Sequence, residues 1–112
     1  MAELVAELAE AGCTAQAFAC DVRDRARLAA VLAELSAAGR PVTTALHAAA
    51  HLDIAPLATT TLSHFAEVVD AKVSGAVNLV ELLEREQLRE VVLFSSIAGV
   101  WGSAEHGAYA AA

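Results

Sequence analysis

Much of what usually announces a function is scarce or missing in this chain of 112 residues. Cysteine occurs twice, as Cys13 and Cys20. The two stand too far apart for a metal-binding pair and no second pair follows, so they read as ordinary buried thiols of a reducing compartment. His51 and His64 have no metal-ligand spacing with any carboxylate or thiol, and no metal is expected. Basic residues are few: seven Lys and Arg stand against 14 Asp and Glu, a net charge of −7, with no basic stripe. That argues against a nucleic-acid partner, which needs a positive footprint. Long apolar runs are missing as well. Hydrophobic residues make up 57% of the chain, yet 28 residues are alanine, and no run approaches the roughly 18 that span a bilayer. The first residues carry Glu3 and Glu7 and no basic segment ahead of an apolar one, so they are not a signal peptide. A cytoplasmic protein with no membrane partner is expected, and no repeat or linker interrupts it.

What is present is an alternation of periods. Leu4, Val5, Leu8 and Ala11 recur at helical spacing and stop at Gly12. Residues 14–20 are short and apolar and read as a strand leading to Asp21 and Val22. Asp24 is placed to cap a helix whose stripe is Leu28, Val31, Leu32 and Leu35, ending at Gly39. After Pro41, Val42 to His47 reads as a buried strand. A loop with Pro56 and three threonines leads to a long helix, roughly Leu62 to Glu86, with Thr61 or Ser63 as its cap and Leu62, Phe65, Val69, Val73, Ala76, Val80 and Leu83 as its buried face. Glu90 to Ser95 is the last strand. A glycine-punctuated loop, Gly99 to Gly107, then runs into a helix start at Tyr109. This order signals a parallel sheet with crossover helices. With no strand ahead of the first helix and no second half to the last one, the chain reads as the central part of a larger domain.

Three residues in this frame invite chemistry. Ser96 follows the last strand at its C-terminal end, where open α/β sheets place their ligands. Tyr109, the only tyrosine, comes after a loop of small residues. A serine hydroxyl and a phenol at such an edge can both hydrogen-bond one carbonyl oxygen, although a lone tyrosine beside a loop also serves simple packing. Lys72 lies within the apolar stripe of the long helix. It either reaches outward to solvent or holds its ammonium beside a phenol, favouring the phenolate and improving the proton donor.

The run from Phe94 through Ser95, Ser96, Trp101 and His106 to Tyr109 and Ala112 resembles the catalytic segment of short-chain dehydrogenase/reductases. Within them it is most similar to the ketoreductase domains of modular type I polyketide synthases. Cys20-Asp21-Val22, Leu46-His47-Ala48-Ala49 and Ala71-Lys72-Val73 fall in the order in which ketoreductases carry corresponding stretches. The resemblance implies an α/β fold, an incomplete Rossmann-like doubly wound parallel sheet with crossover helices. It implies that Tyr109 is the general acid, that Ser96 holds the carbonyl oxygen, and that Lys72 is the ketoreductase lysine carried on the long helix. Asp21 corresponds to the acid that meets the cofactor's adenine and Val22 to its apolar neighbour. Ala48, Ala49 and Ala50 correspond to the cofactor-supporting stretch after the fourth strand, with Ala50 where the family has glycine. His47 itself reads as structural.

The resemblance extends to stereochemistry. The diagnostic last acid of a Leu-Asp-Asp motif is replaced in Leu52-Asp53-Ile54, whereas Trp101 and His106 match the A-type signals. The pattern implies an A2-type enzyme giving an L-configured 3-hydroxyl. The implied cofactor is NADPH, and the implied partners are a β-ketoacyl chain on an acyl carrier protein and neighbouring synthase domains. No Gly-x-Gly-x-x-Gly turn follows a strand in this sequence, and the position four after Tyr109 lies beyond residue 112. In the strand order 3-2-1-4-5 two absent strands would separate residues 15–20 from residues 42–47. The 112 residues are therefore expected to lack the N-terminal phosphate-binding βαβ unit and the C-terminal substrate region, and to be inactive and poor at holding NADPH alone. Two other readings stand beside the β-ketoacyl reductase: a non-catalytic remnant that packs against a partner, and a generic short-chain reductase of free ketones or alcohols.

Overall fold

A computed structural model describes residues 2–83 and 87–112. The elements run α1 (Ala2–Glu10), α2 (Arg25–Ala37), β1 (Thr44–His47), a 3-10 turn (Leu57–Thr59), α3 (Leu62–Leu82), β2 (Glu90–Leu93), α4 (Ala98–Trp101) and α5 (Gly107–Ala111). Their boundaries follow local chemistry. The Asp24 carboxylate accepts from the Arg27 N–H at 2.9 Å and caps α2. The same helix closes where Gly39 takes φ +72°, so that the Arg40 and Gly39 N–H groups return to the carbonyls of Leu35 and Ser36, each at 2.9 Å. Only glycine enters that left-handed turn without strain. Thr61 caps α3, its hydroxyl oxygen accepting from the His64 N–H.

β1 and β2 pair in parallel, with His47 opposite Leu93, and α3 is the crossover between them. Ala45 and His47 point into the core, whereas Leu46, on the other face, is 63% exposed. The strand expected to be buried is thus covered on one face only, since among the described residues no helix packs on the other.

Residues 14–20 form no strand. Extended chain becomes a strand only with a neighbour to complete the ladder, and among the described residues this segment has none; β1 pairs with β2 alone. Cys13 is exposed and Cys20 half-buried, so neither is the fully buried thiol expected. The long helix runs to Leu82, and the part of its expected range at 84–86 lies outside the described residues. β2 ends at Leu93, and a single turn of helix, α4, occupies the start of the expected loop.

The buried face of α3 follows the apolar stripe only in part: Leu83 is buried and Phe65, Val69 and Ala76 are half-buried. Val68 (1% exposed), Gly75 and Asn78, outside the stripe, are buried too, whereas Leu62 is 90% exposed and Val73 and Val80 are open to solvent. The reason is close packing. A Cβ added at Gly75 would lie 2.8 Å from His47 Cε1 and 2.8 Å from Val22 Cγ2. At Gly75 the helix backbone itself meets the core, and only glycine allows this approach. No helix among the described residues is long and apolar enough to cross a membrane.

Alanine in place of glycine inside a helix ordinarily gains about 1 kcal/mol. At Gly75 the added methyl meets a buried ring, and overpacking of this kind costs about 1–3 kcal/mol. Gly75→Ala is expected to lower stability in urea denaturation; a more stable variant would show that the contact has slack.

Candidate functional site

The C-terminal ends of β1 and β2 open onto one edge, and α3 runs along it. At Ser96, just past β2, the hydroxyl oxygen accepts the N–H of Ala98 at 3.2 Å and stabilises the start of α4. That bond uses a lone pair and leaves the Ser96 O–H to be donated elsewhere. α5 packs on both α3 and α4, which sets Tyr109 against α3. There the Lys72 ammonium nitrogen lies 4.7 Å from the centre of the Tyr109 ring. Both side chains are half-buried, so Lys72 does not simply reach out to water. A cation over an aromatic face at this distance is attractive by about 0.5–2 kcal/mol, more as water is excluded.

The loop before Tyr109 is tied down at several points. The His106 ring sits edge-on to Tyr109, centres 6.3 Å apart. Its Nδ1 is 2.7 Å from the Ala104 carbonyl, which only accepts, so Nδ1 carries the proton; Ser103 Oγ lies 3.2 Å from the same nitrogen. Glu105 adopts φ +61°, and its carbonyl accepts from the Ala55 N–H at 3.0 Å. That bond joins the 48–56 loop to the tyrosine loop. Asp53, in the same stretch, pairs with His64 at 3.3 Å. Trp101 projects into solvent, 82% exposed.

A second group gathers beside α3. Asp21, Val22, Ala49 and Ala50 line one cleft of about 530 Å3, together with Cys20, Arg23, His51, Glu67 and Ala71. Ala48 is exposed and outside this lining. The methyl of Ala50 borders the cleft without closing it. The Asp21 carboxylate takes the Arg23 guanidinium in a fork, with N···O distances of 2.7–3.1 Å, and also the Arg23 backbone N–H at 2.9 Å. These bonds, the side-chain ones first, hold the Asp21 carboxyl down at about 2 against an ordinary 3.8.

Sequence reasoning missed the residue that holds this loop. Asn78, buried on α3, donates from Nδ2 to the carbonyls of Val22 at 3.0 Å and Arg23 at 3.2 Å. An amide inside a helix's buried face, six positions after Lys72, was the available signal. Lys72, Gly75 and Asn78 recur at three-residue steps along one side of α3, so one helix face serves both groups.

Because the folded Asp21 carboxyl titrates below its ordinary value, the stabilisation from its Arg23 pair is complete above about pH 4 and lost as pH falls through about 2. Carbon-detected NMR titration is expected to place the Asp21 midpoint near 2, and Arg23→Ala to return it toward 3.8.

The family model for the KR domain matches residues 1–112. Polyketide synthase GfsA of Streptomyces halstedii is 52% identical over 94 residues, 84% of this chain and 1% of that protein. Erythronolide synthase EryA3 of Saccharopolyspora erythraea is 50% identical over 111 residues, 98% of this chain and 3% of that protein. Among solved structures, the PlmKR1 ketoreductase from the first module of phoslactomycin biosynthesis in Streptomyces sp. HK803 superposes with a TM-score of 0.91 at 42% identity, covering 98% of this chain and 25% of that one. The first ketoreductase of the tylosin polyketide synthase gives 0.87 at 43% identity, with 99% and 24% covered. A short chain dehydrogenase from Mycobacterium avium, at 21% identity and a TM-score of 0.83, shares the fold. The chain thus spans a small part of the curated synthases and about a quarter of the solved ketoreductases it matches. With an incomplete Rossmann-type sheet and this likeness along its whole length, the chain belongs to the KR domain family, the ketoreductases of modular polyketide synthases.

Proposed function

We propose that this chain supplies the central part of a ketoreductase that reduces a β-ketoacyl thioester on an acyl carrier protein to the 3-hydroxyacyl thioester. The observation that carries this reading is the Lys72 ammonium 4.7 Å from the centre of the Tyr109 ring, beside a strand end that presents Ser96. In the reaction the Tyr109 O–H gives its proton to the carbonyl oxygen, and the Ser96 O–H holds that oxygen while negative charge develops on it. The phenolate left on Tyr109 is stabilised by the Lys72 ammonium until a proton returns. NADPH, when bound, supplies the hydride that the β-carbon receives, which completes the two-electron reduction.

The residues present fit the adenine end of such a cofactor. The cleft beside α3 joins an ionised acceptor, Asp21, to the small apolar walls of Val22, Ala49 and Ala50, which suits a flat heterocycle with an amino group. Ala48 would support the stretch from outside the lining. His106 is held edge-on to Tyr109, and Trp101 lies on the surface. With Ile54 in place of the diagnostic acid, they support an A2-type outcome, an L-configured 3-hydroxyl. Neighbouring synthase domains would be the other partners.

In a ketoreductase of full family length containing these residues, Tyr109→Phe is expected to lower kcat by about 10²–10⁴ while cofactor binding persists. Full turnover by that variant would remove Tyr109 as the proton donor. Asp21→Ala is expected to raise the KM for NADPH by about tenfold, the effect of one lost charge-assisted hydrogen bond, with kcat little changed. Chiral chromatography of the product checks the configuration; a D-configured 3-hydroxyl would refute the A2 assignment.

A further inference from the structure

We propose that His47 is a positioning residue for the Lys72–Tyr109 pair, a role that rests on the ketoreductase reading above and extends it to a buried side chain that reading leaves unused. His47 is the last residue of β1 and only 6% exposed. Its Nε2 lies 2.9 Å from the carbonyl oxygen of Lys72. A carbonyl only accepts, so Nε2 carries the proton and donates it. The acceptor lies inside a helix, where that carbonyl already serves the helix's own ladder. The additional bond fastens the one turn of α3 that carries the lysine directly to the strand.

Two further contacts remove the freedom this bond would otherwise leave. The ring rests against the helix backbone at Gly75, where a Cβ would come within 2.8 Å of Cε1. The helix therefore cannot approach closer, and moving away breaks the hydrogen bond. The His47 backbone carbonyl, meanwhile, accepts from the Phe94 N–H at 3.0 Å, two residues before Ser96. One residue thus fixes the lysine turn through its ring and the serine-bearing strand through its backbone.

The test uses a ketoreductase of full family length containing these residues. Gln places its side-chain N–H near the position of Nε2, whereas Asn is too short to reach Lys72 and Leu has no donor. His47→Leu and His47→Asn are expected to lose about ten- to a hundredfold in kcat, as a small misplacement of reacting groups does, with the KM for NADPH unchanged. His47→Gln is expected to stay within about threefold of the wild-type kcat, the reach of its N–H preserving the alignment. Long-range proton–nitrogen NMR should show the His47 proton on Nε2. Should the Leu variant fail to fold, the Asn and Gln variants carry the comparison at equal folded fraction. Equal kcat for Gln and Asn, or a proton on Nδ1, overturns the proposal. Tyr109→Phe separates the two levels: an inactive Tyr109→Phe with unimpaired His47→Asn overturns the positioning role alone, whereas an active Tyr109→Phe overturns the ketoreductase reading beneath it.

Discussion

Where α3 crosses the end of β1, glycine lets the helix backbone come down onto a histidine ring, and most of the site's order descends from that crossing. The missing Cβ at Gly75 admits both His47 and Val22 to the same helix face. One turn earlier the helix directs Lys72 toward Tyr109, and one turn later Asn78 holds the carbonyls of Val22 and Arg23. Spacing along a helix is rigid, at 1.5 Å per residue. The separation between the phenol and the Asp21 cleft is therefore set by three neighbouring turns of one element rather than by loops.

The polar contacts on this face share a form: a side-chain N–H donated to a backbone carbonyl. His47 gives to Lys72, and Asn78 gives to Val22 and Arg23. Such bonds satisfy buried groups without placing a formal charge in the core, where an unpaired ion would be costly. Charge is kept at the edges instead. The Asp21–Arg23 fork sits at the surface, where an ion pair adds little stability but orients a carboxylate.

A good share of this was legible in the amino-acid order, and the rest fails for identifiable reasons. Asp24, Gly39 and Thr61 marked helix ends because capping is local chemistry, readable from a few residues. Ser96, Lys72 and Tyr109 stood out through their pattern, and the structure brings Lys72 and Tyr109 into contact. Residues 14–20 were misread as a strand because a strand is a property of a pair of segments. The buried face of α3 was legible in part: Leu83 is buried and Phe65, Val69 and Ala76 half-buried, but apolar periodicity also points to the exposed Leu62, Val73 and Val80 and passes over Val68, Gly75 and Asn78. His47 read as structural, but its particular bond to a main-chain carbonyl 25 positions away has no trace in composition or spacing.

Parallel strands cannot be joined by a hairpin, so β1 and β2 meet only after the chain has passed through α3. Bringing the His47 ring to Lys72 closes a loop of 25 residues. Bringing the His47 carbonyl to Phe94 closes one nearly twice as long. Closing the longer loop costs about 0.6 kcal/mol more chain entropy, so the helix contact is the less costly of the two to form. The surroundings of Lys72 thus rest on the contact nearer in sequence, between β1 and α3, as well as on the strand pair.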